Sequence, residues 1–551
     1  MKFDPQELIF IPLGGTGEIG MNLSLYGLAG KWLAVDMGVS FADDAMPGID
    51  VFMPDPGFLE QRQGELLGIV ITHAHEDHLG AVAYLWPRLR CPIYASPFAA
   101  GLLRFKLAEA GLEREAPVTV ISGNKTFSAG PFGLEFVPMA HSIPEANALA
   151  IHTCLGTIIH SGDWKFDPKP LVGPPSDKAR LAQLGQDGVL AVVGDSTNVL
   201  TEGISGSEAE VGDSLVELFG GFKQRIAVAC FASNVARLSS IARAAAHHDR
   251  YAVLCGRSLR RIDQIAREVG YLKEVAPFLT EEEGALLPPS KTVYICTGSQ
   301  GEPRAALMRI AMGTHPRISL DPGDAAVFSS RIIPGRERSI YRLQNILVRR
   351  GVEIVTEKDH FVHVSGHPGR NDMREFYNLT KPAILIPVHG EERHLRAHAI
   401  LARECGIENT PILTDGSVLK LAPGTAEIIG EIPTGRLALD GINLVPLESE
   451  RLKERQRMLW NGSAVVTVAL DQTGSFLCDP LVSAAGLLDG GEEAPGREDV
   501  VWAVREAIEE MPLFARQNDD LVREAAYNAV RRQLRKAYGK KPVTNVHLVR
   551  R

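Results

Sequence analysis

Seven residues, Thr72-His73-Ala74-His75-Glu76-Asp77-His78, put three imidazoles and a carboxylate within six positions. Imidazole and carboxylate donors without a thiolate suit a catalytic divalent cation, Zn²⁺ first, with Mn²⁺ as a substitute. A solvated turn has no use for that density of donors. The cluster directly follows the apolar run Leu66-Leu67-Gly68-Ile69-Val70-Ile71. Continuous Leu/Ile/Val runs suit strands covered on both faces, so the donors should leave the end of a buried strand, where a rigid sheet can hold them.

Three further donors obey the same rule. His141 follows an apolar run over 134–140, Asp163 one over 157–162, and His389 one over 383–388. Open α/β sheets gather their sites at strand ends on one side, so four such loops can converge. Each residue alone reads as an ordinary loop His or Asp. Together they offer five His and two Asp, enough for two metals.

The H-x-H-x-D-H pattern followed by a distant His, Asp and His resembles the metallo-β-lactamase fold. That resemblance implies that His73, His75 and His141 hold one zinc, that Asp77, His78 and His389 hold the other, and that Asp163 bridges them. Redox-active di-iron members of the fold resemble H-x-E-x-D at this motif; His75 stands here instead, which implies hydrolysis. Asp163 and His389 are separated by a stretch the size of a domain. Within it Val192-Val193-Gly194-Asp195-Ser196-Thr197-Asn198 resembles the acidic first motif of the β-CASP nucleases. His363-Val364-Ser365-Gly366-His367-Pro368-Gly369 and Pro387-Val388-His389-Gly390-Glu391 resemble the second and third. The H-x-S-G-H loop, with Phe231-Ala232-Ser233-Asn234-Val235-Ala236-Arg237, Thr297-Gly298-Ser299-Gln300-Gly301-Glu302-Pro303 and Ser330-Arg331-Ile332-Ile333-Pro334-Gly335-Arg336-Glu337, is similar to the ribonuclease J family, from about residue 8 to the C-terminus.

The implied architecture is α/β: a metallo-β-lactamase αββα sandwich with an inserted α/β β-CASP domain and a small C-terminal α+β domain. Residues 1–205 form the first part of the sandwich, 206–355 the β-CASP insert, 356–425 the return segment, 426–455 a linker, and 456–551 the last domain. In that domain strands are expected at 463–470 and 475–482, an acidic Gly-rich loop at 488–496, helices at about 498–511 and 518–538, and a strand at 543–549. Gly15, Gly17 and Gly20 fall in the register of a dinucleotide loop, with Asp36 as the tempting acidic partner; against the metal cluster they read as a turn close to the active site.

Two Zn²⁺ at the roughly 3.5–4 Å usual in such sites could hold a hydroxide between them at neutral pH, to be aimed at phosphorus. The expected catalytic residues are Asp77, Asp163, Asp195 and His367. Asp195 would orient a ligand or the nucleophile, and His367 would protonate or stabilise the leaving 3′ oxygen, the plain alternative being a loop His bonded to backbone. The resemblance assigns Phe231, Ala232, Ser233, His363, Val364, Ser365, Gly366 and His367 to a nucleotide or 5′-phosphate pocket. It implies 5′→3′ exonuclease action on RNA with a preference for 5′-monophosphate ends, together with internal cleavage, in rRNA maturation and mRNA decay. Gly48, Asp50 and Asp440 match positions that bind calcium in some relatives, against the plainer reading of turn residues. A homodimer or homotetramer and membership of an RNA-degradation complex are further implications. The rival readings are a β-CASP nuclease acting on DNA and a non-catalytic RNA-binding scaffold subunit, which would be expected to have lost ligands.

Composition sets the outer bounds. A 551-residue chain that is 45% hydrophobic and 23% charged is ordinary for globular domains, about three in number. No apolar stretch approaches the ~18–20 residues of a membrane span, and the acidic N-terminus lacks the pattern of a secretory signal. Seven scattered cysteines without a C-x-x-C pair suggest neither a disulfide framework nor a thiolate zinc site, and a reducing cytoplasm is the expected compartment. The net charge of −9 weighs mildly against a polyanion partner. Local runs do not: residues 331–350 carry six Arg against one Glu, and 531–551 carry eight Lys or Arg and no acid, although a solvated face explains either run as well.

Overall fold

The computed structural model describes residues 2–42, 46–123, 125–333, 335–488 and 496–551. It falls into two compact units, residues 1–40 with 53–435, and residues 41–52 with 436–551.

The first unit is built on two sheets. One has eight strands in the order 427–431, 417–422, 8–14, 23–28, 31–35, 66–70, 93–95 and 118–120; the other has six, in the order 126–129, 132–139, 146–153, 156–160, 189–195 and 384–388. Their facing sides share one core that includes Phe10, Tyr26, Phe132, Phe136, Leu149, Ile386 and Leu419. The outer side of the six-stranded sheet buries Val137, Ala148, Ala150 and Leu385 against Trp164, Phe376 and Leu401. Successive residues of a strand point to opposite faces, so Ile384, Ile386 and Val388 enter the inner core while Leu385 enters the outer one. That two-sided burial is why these strands read as unbroken apolar runs. Helix Pro97–Glu109 lies against the edge strands 93–95 and 118–120 of the larger sheet, with helix Val82–Leu89 packed beside it, in keeping with the expected αββα order.

The insert is a five-stranded, wholly parallel sheet in the order 251–255, 292–296, 226–229, 325–328 and 353–355. Helices such as Val235–His247 and Glu337–Arg349 supply the crossovers that parallel pairing requires. The chain then returns through helix Arg370–Thr380 and adds strand Ile384–Val388 beside Val189–Asp195.

In the second unit, strand Ser463–Leu470 pairs with Leu481–Ser483 and with Val543–Arg550, and helices Arg497–Glu509 and Asp519–Tyr538 cover one face. The longer helix starts where the Asn518 side chain accepts from the amides of Asp520 and Leu521, and stops at Gly539 with φ +68°. Two details differ from the sequence reading. The stretch expected as a linker over 426–455 is strand for much of its length: Glu427–Glu431 extends the eight-stranded sheet, and Arg436–Asp440 pairs with Asn443–Pro446. The strand expected over 475–482 shrinks to Leu481–Ser483: the Asp471 carboxylate takes the amides of Thr473 and Ser475 in the turn expected there, and beyond it Phe476 makes an isolated bridge to Leu470 in place of a ladder. Most of the acidic loop expected at 488–496 lies outside the described residues. No helix among the described residues is long and apolar enough to cross a membrane.

Candidate metal centre

Every expected ligand stands where a strand of the first unit ends. Leu66–Val70 leads into His73 and His75, and the short helix Glu76–Leu79 carries Asp77 and His78. Phe132–Met139 leads to His141, Gly156–His160 to Asp163, and Ile384–Val388 to His389. His389 adopts φ +52°, and its amide donates to the Gly15 carbonyl at 2.6 Å, so the glycine turn at the start of the chain does lie beside the site. Left-handed backbone at a non-glycine residue costs energy and persists where the surroundings impose it.

These side chains form two donor groups within 4.8 Å: His73, His75, His141 and Asp163, and Asp77, His78, His389 and Asp163. The two oxygens of Asp163 face different groups. Oδ2 is 3.6 Å from Nε2 of both His73 and His141, whereas Oδ1 is 3.2 Å from His78 Nε2 and 3.5 Å from His389 Nε2. In the first group His75 Nδ1 is 3.1 Å from the Nε2 atoms of His73 and His141; in the second, Asp77 Oδ2 is 3.6 Å from those of His78 and His389. Donors bonded to one tetrahedral zinc at ~2.0–2.1 Å lie about 3.3–3.4 Å apart. The spacings straddle that edge length, and Asp163 Oδ1 and His389 Nε2 are buried with no hydrogen-bond partner. Buried polar atoms are seldom left unpaired without a reason. Both observations fit a pair of divalent cations.

The other ring nitrogen of each histidine is tied, which sets the tautomer. His78 Nδ1 donates to Asp36 Oδ2 (2.7 Å), His141 Nδ1 to the Gly366 carbonyl (2.6 Å), and His389 Nδ1 to Asn22 Oδ1 (3.0 Å). His73 Nδ1 lies 3.0 Å from Thr72 Oγ1, and His75 Nε2 lies 3.2 Å from Ser233 Oγ. Each histidine therefore turns the expected donor atom inward. Burial, the largest influence, pushes His75 down to about 4 and holds His73 and His141 well below the ordinary histidine value, so all three stay neutral and ready to ligate. At His78 and His389 burial acts in the same direction, but Asp163 and the other carboxylates outweigh it and both are raised. Burial likewise opposes ionisation of Asp163, and His389, His78 and His367 overcome it. The centre is arranged around a buried anion that calls for positive charge.

Asp195 closes strand Val189–Asp195, and its Oδ2 accepts from His367 Nδ1 at 2.8 Å; the Thr197 amide holds Oδ1. His367 Nδ1 is also 3.9 Å from Asp163. Burial lowers its proton affinity, but Asp195 and Asp163 prevail and raise the pKa to about 9. Of the residues expected to bind substrate, Ser233 and Gly366 touch the donor groups directly. Phe231 and Ala232 precede Ser233 in a turn closed by the Asn234 amide on the Phe231 carbonyl. His363 has a buried Nδ1 without a partner, and burial, aided by Arg237, Arg331 and Lys165, pushes it down to about 3. Ser365 Oγ accepts from the His367 amide, and Val364 is buried beside Gly206, which leaves it only backbone to offer a substrate.

Asp36, set aside as a nucleotide ligand in the sequence, is the carboxylate behind His78, and the Thr72 amide and hydroxyl hold it there. One expectation changes. Asp440 makes a two-pronged ion pair with Arg455 (2.7 and 2.8 Å) and another contact with Arg451, the opposite of the open carboxylate that a calcium site with Gly48 and Asp50 requires. Sequence reasoning missed Asn22 and Thr72. The one signal for them was nearness to glycine turns and to the ligand cluster.

Comparison with known proteins follows the same division of the chain. Residues 24–216 match the metallo-beta-lactamase superfamily, 223–347 the ribonuclease J beta-CASP domain, 351–410 the Zn-dependent metallo-hydrolase RNA specificity domain, and 450–550 the ribonuclease J C-terminal domain. The ribonuclease J of Sinorhizobium meliloti is 44% identical over 550 residues, 99% of this chain and 98% of that one. That of Corynebacterium glutamicum is 37% identical over 88% of this chain and 68% of its own, and that of Thermus thermophilus 34% identical over 98% and 95%. A crystal structure of a protein of unknown function from Enterococcus faecalis V583 superposes with a TM-score of 0.50 over 75% of this chain and all of its own, at 16% identity, a likeness of fold. With full-length identity at this level, and with all four regions in order, the chain belongs to the ribonuclease J family of metal-dependent ribonucleases.

Proposed function

We propose that the chain hydrolyses RNA phosphodiester bonds at a two-zinc centre, as a 5′→3′ exonuclease that prefers 5′-monophosphate ends and also cuts internally. The observation that carries this reading is the position of Asp163, one oxygen toward each donor group. Two divalent cations bound there would supply Lewis acidity toward phosphoryl oxygens and an activated water at neutral pH. His73, His75 and His141 would hold one, Asp77, His78 and His389 the other, with Asp163 between them.

The chain's own groups do the rest. His367 carries a proton on an imidazolium favoured by Asp195, within reach of the centre, and can deliver it to the leaving 3′ oxygen. Ser233 and Gly366 fix His75 and His141 while their loops present backbone and hydroxyl groups to the nucleotide next to the scissile bond. The exposed Arg331 guanidinium, 3.2 Å from Asn198 Oδ1, brings positive charge to the same rim. Assembly as a homodimer or homotetramer, and service in an RNA-degradation complex, belong to the same proposal.

The test is RNA labelled at either end, carrying a 5′-monophosphate or a 5′-triphosphate, incubated with the chain and with His73→Ala. Mononucleotides released from the 5′ end, faster from monophosphate and absent in the variant, are the expected result. RNA left intact while DNA is cut would replace the substrate.

A further inference from the structure

Arg237 lies in helix Val235–His247 with no exposed surface, and all three guanidinium nitrogens are used. Nε and Nη2 grip the Glu208 carboxylate at 3.0–3.1 Å. Nη1 donates to the Ser329 carbonyl (2.8 Å), to Ser329 Oγ (2.6 Å) and to the Val362 carbonyl (2.9 Å). Ser329 Oγ donates to the same Val362 carbonyl at 2.8 Å. Glu208 is equally committed: Oε1 also accepts from Asn234 Nδ2 at 3.1 Å, and its amide donates to Asp167.

The two ends of this network stop at the metal centre. Asn234 caps the helix immediately after Ser233, whose hydroxyl meets His75; Val362 opens the loop whose Gly366 carbonyl holds His141. Both histidines belong to the first donor group and neither to the second. A buried ion pair contributes little net stability over an apolar replacement. A planar fork that fixes the separation of two loops is a use that an apolar residue, or lysine, could not serve.

We infer that the Arg237–Glu208 pair, with Ser329, is a positioning device for His75 and His141 that sets the metal affinity of the first donor group independently of the second. The inference rests on the two-metal reading above. Direct hydrogen-bond partners of metal ligands typically change affinity about 10–100-fold; one step further out, a change of about three- to tenfold is expected.

Zinc-loaded chain is titrated with a chromogenic chelator, and the two release phases are assigned with His141→Ala and His389→Ala. Arg237→Lys and Ser329→Ala should release zinc from the His141 phase at about three- to tenfold lower chelator concentration and leave the His389 phase in place. Asp36→Asn, behind His78, should do the reverse. Both phases unchanged in folded variants, or both weakened alike, would overturn the inference and leave Arg237 a fold stabiliser only. If Arg237→Lys does not fold, Ser329→Ala, which keeps the ion pair, decides alone. Two zinc ions bound without RNA cleavage would strike the proposed substrate and spare this inference; no zinc phase in the unsubstituted chain would remove the two-metal reading and the inference with it.

Discussion

Two residues at the rim of the centre make separable predictions. Gly366 has room for no side chain: a Cβ there would lie 2.8 Å from His141 Cε1 and 2.8 Å from Ser142 Oγ. Gly366→Ala should displace His141, so zinc analysis by mass spectrometry should find two ions per parent chain and one in the variant, with RNA cleavage down about 10- to 100-fold, as for loss of a group that orients a ligand. Arg331 acts at longer range. If it meets the phosphate backbone as proposed, Arg331→Ala should weaken binding on every RNA sequence and shrink the slope of log K against log salt by about one phosphate contact. Filter binding from 50 to 200 mM salt checks this, and an unchanged slope would place Arg331 outside the substrate path.

The elements that hold these residues are strands buried on both sides, and their stability is a matter of packing. Phe136 is 1% exposed in the core between the two sheets and belongs to the strand that delivers His141. Phe136→Ala should cost about 3–5 kcal/mol in urea unfolding, since the cavity cannot collapse between two sheets. The donor groups were legible in the sequence for the same reason that the strands are stable. Unbroken apolar runs mark two-sided burial, and although one His or Asp after such a run is ordinary, seven of them after four runs are not. What was illegible depends on partners far away in the chain. Asp36 also follows a strand, yet nothing local says that its carboxylate faces His78 rather than a ribose. An arginine in an amphipathic helix reads as solvated, and the burial of Arg237 depends on Glu208 and Ser329, which come from other elements. The Asp471 turn stands where the sequence put it, but the strand expected after it pairs only from Leu481, apart from the single Leu470–Phe476 bridge.

For the molecule as a whole, acid should act through buried histidines away from the metals as well as through the ligands. His398 is 1% exposed, its Nδ1 lies 2.8 Å from Ser196 Oγ and its Nε2 meets the Tyr377 hydroxyl. Burial pushes it down to about 4, so the unfolded chain takes up this proton first as pH falls below about 6.5. Its contribution is complete above that pH and is lost on the way down to about 4, a loss on the order of 3 kcal/mol. Unfolding of the metal-free chain followed by circular dichroism should show the midpoint falling across that window, and falling less steeply in His398→Gln; identical slopes would mean that His398 takes its proton as easily folded as unfolded.

One feature of the topology bears on how the molecule is made. The strand Ile384–Val388 joins the six-stranded sheet beside Val189–Asp195, although the whole parallel-stranded insert separates them in the chain. A ribosome that has just finished the insert has already produced His73, His75, Asp77, His78, His141 and Asp163, but not His389. At that point all four residues of the first donor group have been made, but Gly366, whose carbonyl holds His141, and His389 of the second group both come later. A polypeptide cut short inside the insert would therefore lack the anchor of one donor group and a member of the other, so both halves of the centre wait on the same late stretch of chain.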